Sequence, residues 1–251
     1  MEGLPNPEFY TKFSQEIAAS ESLFASTPVL VKIKKEIIPM LENDFGHGVL
    51  HSVLVCRDAG AIVMIEMQKN TNRTGRNVSR SKTESDIKKN MILVQIAGLL
   101  HDIKRKHKNH ARRGAEFAEN FLKKGYALSP GDIDLVCNAI GDHEAFKQNM
   151  DVEKTSARCK KSDSLISGAL YDADKFRWGP DNFTHTVWDM VLFSNTPFKE
   201  FKKKYPAGMA KLFDIKKTFR TDTGKKYGPD FIDLGIKTGE ILFNIIQNDF
   251  S

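Results

Sequence analysis

Apolar residues recur at helical spacing along most of this chain, and no stretch alternates with the period of two that a half-buried strand requires. Thr27-Pro28 reads as an N-cap followed by proline at the first helical position. Val29, Leu30, Ile33, Ile37 and Leu41 share one face behind it. A second helix is expected over 49–67, where Val53, Leu54, Ile62 and Ile65 are apolar, and a third over 86–102. A fourth covers 110–123 through Ala111, Ala115, Ala118 and Leu122. Ser129-Pro130-Gly131-Asp132 is a cap and first turn, after which Ile133, Val136, Ala139, Ile140 and His143 follow at helical spacing. Segments 164–175, 182–193 and 231–246 complete the set, so the expected fold class is all-α.

Two stretches interrupt the pattern. Residues 69–89 are polar and basic with almost no apolar content and read as a flexible surface loop. Residues 219–230 (FRTDTGKKYGPD) read as a connection punctuated by glycine and proline. No internal repeat and no persuasive boundary divides residues 1–251, which read as one domain.

Composition adds little to the fold and more to the partners. A 251-residue chain that is 40% hydrophobic and 28% charged has enough apolar surface for a large core. Its longest apolar run, from Met91 to Leu100, falls far short of the roughly 20 residues of a membrane span. The first residues lack a basic segment followed by an apolar one, so no signal peptide is expected. Cys56, Cys137 and Cys159 are odd in number and lack CxxC spacing. They read as reduced thiols, which fits the cytoplasm. The net charge of +6 is unevenly spread: residues 69–90 carry +5 and residues 199–226 carry +7, so the remainder carries −6. Such segments attract phosphate or a polyanion, although solvated lysines are the commoner explanation.

The chemistry centres on His101-Asp102, which closes the apolar run. A buried imidazole and carboxylate cost several kcal/mol unless partners satisfy them, and a divalent metal ion accepts both ligand types. Helices of a bundle can aim side chains at one point. The candidates are His51 at the start of the second helix and Asp174, where an apolar helix turns polar. Asp172 is the alternative to Asp174, since only one of two residues so spaced faces a given point. His47 is expected near the site rather than as a ligand, and His107 and His185 read as surface or structural residues. The competing explanation of the whole set is a core of satisfied polar groups.

In the contexts HGVLHS, AGLLHDI and DADKF, the set His51, His101-Asp102 and Asp174 resembles the HD-domain metal-dependent phosphohydrolase superfamily, whose pattern is H…HD…D on a helical bundle. The resemblance covers residues 45–181 and leaves 182–251 as a helical extension. It implies one or two divalent metal ions (Mn, Fe, Mg, Co, Ni or Zn) and a small phosphorylated substrate such as a nucleotide. His110 and His143 match positions that hold a second ion in some branches; a helix-start role for His110 and a capping or substrate-side role for His143 are the alternatives. His143 or Glu144 is also a candidate for proton transfer.

Six basic residues fall within residues 104–113. Lys104, Arg105, Arg112 and Arg113 are therefore candidate phosphate ligands, against the alternative of a solvated loop. Family members often carry lysine where this chain has Arg105. Trp178 and Phe183 are candidate pocket walls, or core. Three functions fit these residues: a phosphohydrolase, a di-iron oxygenase on the same ligand pattern, and a non-catalytic nucleotide- or nucleic-acid-binding protein. Nucleic acid is the less favoured partner, a membrane is not expected, and a homo-oligomer is compatible with the pattern. The chain lacks the GYP element of HD-GYP cyclic-dinucleotide phosphodiesterases and any synthetase module.

Overall fold

Proline, serine and glycine set the helix boundaries where local chemistry predicts them. The computed structural model describes residues 5–41, 47–74, 80–145 and 164–249, with eleven α-helices and no strand among them. The helices are α1 (Glu8–Lys12), α2 (Ser14–Ser26), α3 (Pro28–Ile37), α4 (Val49–Thr74), α5 (Arg80–Leu100), α6 (His110–Gly125), α7 (Pro130–Gly141), α8 (Leu165–Phe176), α9 (Val187–Phe193), α10 (Phe198–Ile215) and α11 (Asp222–Asp249). Pro28 opens α3 directly after Thr27, and the Ser129 side chain accepts from the Asp132 backbone N–H at the start of α7. Ser164 caps α8 in the same way, accepting from Ser167 N–H.

At the centre, α4 packs along α5, with α8, α2, α3 and α7 around them. The last two turns of α5 are buried on every side: Leu93, Val94, Ile96, Ala97, Leu99 and Leu100 are at most 2% exposed. An all-round apolar helix belongs in the middle of a bundle. Gly98 lets α4 approach closely, since a Cβ there would lie 2.8 Å from the Cys56 sulfur. Helix α8 is buried over Ile166–Phe176, including Asp172, Asp174 and Lys175. Cys56 and Cys137 are buried free thiols, and Cys159 lies outside the described residues.

The structure corrects three expectations. The basic stretch 69–89 is helical over 69–74 and 80–89, where α4 and α5 extend as outer turns from helices whose inner turns are anchored in the core; residues 75–79 lie outside the described ones. The connection expected at 219–230 gives way to α11 at Asp222, with Pro229 two turns inside. Two buried carboxylates replace a conventional cap there. Asp172 accepts from Arg220 N–H (2.8 Å), Thr221 N–H (2.8 Å) and the Thr221 hydroxyl (2.7 Å). Glu66 accepts from Thr223 N–H (2.8 Å) and the Thr223 hydroxyl. Negative charge at a helix N-terminus is favourable, and here it ties the C-terminal helix to α8 and α4. Finally, α1, α2 and α10 lie outside the segments whose spacing predicts a helix. Helix α2 is diluted by alanine and serine, and α10 contains Pro206.

Candidate metal centre

Five helix ends converge on one point. His51 lies in the first turn of α4, and His101-Asp102 directly follows α5. His110 opens α6 after Asn109, whose left-handed backbone (φ 60°) turns the chain; asparagine tolerates that conformation better than most residues. Gly114 keeps the start of α6 close, because a Cβ there would sit 3.2 Å from the His101 carbonyl oxygen. His143 lies just past α7, and Asp174 projects from the last turn of α8.

These residues form two donor clusters that share one carboxylate. In the first, His51 Nε2 lies 3.2 Å from His101 Nε2 and 3.3 Å from Asp174 Oδ1. Asp102 Oδ2 is 3.4 Å from His101 Nε2 and 3.8 Å from His51 Nε2. In the second, Asp102 Oδ1 lies 3.5 Å from both His110 Nε2 and His143 Nε2. All six residues are at most 9% exposed.

The protonation pattern follows from the outer contacts. His101 Nδ1 lies 2.8 Å from the Gly98 carbonyl and His143 Nδ1 2.6 Å from that of Ile140. A carbonyl only accepts, so each Nδ1 donates, which leaves each Nε2 facing the cluster. His110 Nδ1 faces Glu144 Oε1 at 3.3 Å. Burial lowers the His51 and His101 pKa values, against the pull of Asp174 and Asp102 respectively. His110 is lowered to about 4 by burial, with His143 and Arg105 adding to the effect. Burial opposes charge on both carboxylates, yet they stay well below the usual range. His101, His143 and Arg105 hold Asp102 there, and Lys175, His51 and His101 hold Asp174. Neutral His51, His101 and His110 around ionised carboxylates make a donor set of the kind a divalent cation requires. The fit is direct, because Asp102 Oδ1 and His143 Nε2 are buried acceptors without a hydrogen-bond partner.

Beside the clusters opens a cavity of about 660 Å³. Of the four basic residues singled out after Asp102, Arg105 lines it, with Nη1 3.0 Å from His110 Nε2 and 3.6 Å from Asp102 Oδ1. The other three turn elsewhere: Lys104 lies over the Phe117 ring, Arg112 pairs with Glu116, and Arg113 reaches towards His107. Glu144 and His47 line the cavity, and the His47 ring lies 4.9 Å from that of His51. Asp172 is engaged with α11 and does not face the clusters. Lys175 went unnoticed in the sequence. It is 4% exposed, contacts Asp174 Oδ2 (2.5 Å) and the His143 carbonyl (3.2 Å), and lines the cavity. A lysine beside an aspartate carries no pattern that reveals its burial. Trp178 and Phe183 both line the cavity.

Several charges of the two basic segments are neutralised locally. Lys69 pairs with Glu66, Lys89 with Asp132, Lys216 with Asp233 and Arg220 with Asp142. Among the described residues, no helix is long and apolar enough to cross a membrane.

Comparison with known proteins agrees with this geometry. A family model described as HD domain matches residues 50–178. No curated protein and no solved structure matches the chain.

Proposed function

This chain belongs to the HD-domain family of metal-dependent phosphohydrolases, and on that premise we propose that it hydrolyses a small phosphorylated metabolite at a two-ion centre. The observation that carries the reading is the sharing of Asp102, whose two oxygens face separate donor clusters. His51, His101, Asp102 and Asp174 would hold one divalent ion, and Asp102, His110 and His143 the second. When bound, such ions polarise a phosphoryl oxygen and lower the pKa of a bound water from about 15.7 toward 7.

The remaining roles fall to the chain's own groups. Arg105 and Lys175 border the cavity and supply positive charge for the non-bridging oxygens of a phosphate group. Glu144 orients His110 through Nδ1 and is the group best positioned to take up or deliver a proton at the cavity edge. His143 Nδ1 donates to the Ile140 carbonyl and its Nε2 faces Asp102 Oδ1, which gives it the role of a ligand to the second ion. The burial of the cluster excludes bulk water and strengthens each of these interactions.

Phosphate release by protein loaded in turn with Mn, Fe, Co, Ni, Zn and Mg, with elemental analysis alongside, tests the reading. Turnover that depends on metal and is lost in Asp102→Ala is expected. Full activity in that variant would overturn the assignment.

A further inference from the structure

The family match ends at residue 178, and much of the cavity wall is built from residues beyond it. Phe183, Met190, Phe201, Tyr205 and Met209 line the cavity together with Trp178. The wall is backed firmly. The Tyr205 ring stacks on Phe243 (centroids 5.0 Å apart, planes 6° apart), and its hydroxyl donates to the Gly239 carbonyl at 2.9 Å. Its polar atom is thereby committed to α11. Gly239 is the seat of the wall, since a Cβ there would lie 2.5 Å from the Met209 sulfur and 2.8 Å from a Phe183 ring carbon. Phe201 meets Tyr205 edge to face at 5.4 Å.

The hydrogen-bonding capacity of this half of the cavity is small by comparison. Apart from the committed Tyr205 hydroxyl, the uncharged polar side-chain groups that line it are those of Asn182 and Thr186 and the Trp178 indole N–H. Lys204, Lys211 and Asp214 also border it, but they are exposed side chains of α10. A nucleobase or a sugar presents several donors and acceptors that must each be matched when buried. A hydrocarbon or aromatic body presents none, and rings with pliant methionines suit it. Met190, 40% exposed yet lining the cavity, is an apolar side chain open to such a body.

We propose that the substrate is a phosphate ester with a large, mainly apolar body, its phosphate at the Asp102 clusters and its body against the Phe183–Tyr205–Met209 wall. The proposal deepens the phosphohydrolase reading and rests on it for the placement of the phosphate.

The test uses n-alkylphosphonates, which do not hydrolyse, so binding is read apart from catalysis. The metal-loaded 251-residue chain is titrated by calorimetry with ethyl-, hexyl- and decylphosphonate below their micelle concentrations, and with AMP and glucose 6-phosphate. Kd should fall with chain length, by up to about fourfold per buried methylene, with a negative heat-capacity change. Hexylphosphonate should bind more tightly than AMP or glucose 6-phosphate. Met190→Lys, at an exposed position that tolerates charge without unfolding, should flatten the series. A Kd independent of chain length, or tighter binding of AMP, overturns the proposal. Hydrolysis of the matching n-alkyl phosphates, which share one type of leaving group, is followed in parallel. Rising affinity without turnover supports the apolar pocket and overturns the hydrolase reading. Turnover indifferent to chain length leaves the hydrolase standing and overturns the pocket.

Discussion

Oδ1 of Asp102 lies 3.5 Å from Nε2 of His143, and both atoms are buried acceptors without a hydrogen-bond partner. A carboxylate oxygen and a ring nitrogen that face one another in a buried site cost free energy unless a proton or a cation lies between them. The other oxygen of the same carboxylate faces His101 and His51. One residue therefore joins two clusters, and its loss differs in kind from the loss of a ligand to one.

Elemental analysis should register that difference. Asp102→Ala is expected to lose metal from both clusters and turnover with it. His143→Ala should lose the second ion and retain the first, held by His51, His101 and Asp174. Two ions per chain in Asp102→Ala would remove the shared-carboxylate assignment.

Acidification should destabilise the metal-free protein between pH 6.5 and about 4. Burial lowers His51 and His101, and His110 falls from the ordinary 6.5 to about 4. Across that window the unfolded chain binds more protons at these rings than the folded one does. Stability therefore rises with pH and is lost as pH falls. Asp172 works in the opposite sense, because burial raises it from 3.8 to about 6 and the folded state takes up its proton first. Three rings against one carboxylate leave a net loss on acidification. Melting temperatures in chelator from pH 4 to 7 should fall toward the acid end, less steeply in His110→Gln and more steeply in Asp172→Asn. A melting temperature that climbs toward pH 4 would contradict this account.

The buried Arg177 guanidinium rests on Asp58, with Nη2 to Oδ2 at 2.5 Å; the Tyr10 hydroxyl donates to the same oxygen at 2.8 Å, and Arg57 Nε to Oδ1 at 2.7 Å. This network joins α1, α4 and the end of α8. Asp58→Ala would remove the buried counter-ion of Arg177, leaving the partly exposed Asp181 as its remaining partner, and should cost up to about 3 kcal/mol in urea denaturation. Asp58→Asn keeps an acceptor and should cost less. A loss under about 1 kcal/mol in the alanine variant would mean that Asp181 and water satisfy Arg177 without Asp58.

Gly224→Ala should destabilise through α11. The added Cβ would lie 2.0 Å from Asp172 Oδ2 and 2.4 Å from its Cγ. That carboxylate is pinned by Arg220 and Thr221, so it cannot swing aside freely. Overpacking of this kind costs about 1–3 kcal/mol. An unchanged melting temperature would show that the N-terminus of α11 adapts.

The chain's pattern carried the helices whose ends have local chemistry. Thr27-Pro28, Ser129-Pro130 and Ser164 act within a few residues, so their effect is visible without the fold. It failed where a helix extends from an anchored core outward, as over 69–89, and where distant carboxylates replace a cap, as at α11. The set His51, His101, Asp102, His110, His143 and Asp174 was legible because each sits at a helix end next to an apolar run. Polar side chains there are expensive enough to stand out against their neighbours.

What the linear pattern could not carry is direction. Asp172 and Asp174 are two residues apart on one helix, and packing alone sends the first to the N-terminus of α11 and the second to His51. Of four basic residues near Asp102, the turn into α6 leaves Arg105 at the cavity and sends Lys104, Arg112 and Arg113 to other partners. The apolar wall is assembled from residues 178–209 seated against Gly239 and Phe243, contacts that span tens of residues. Composition and spacing specify which groups are too costly to bury alone. Which partner relieves each cost depends on long-range packing, which exists once the helices have closed on one another.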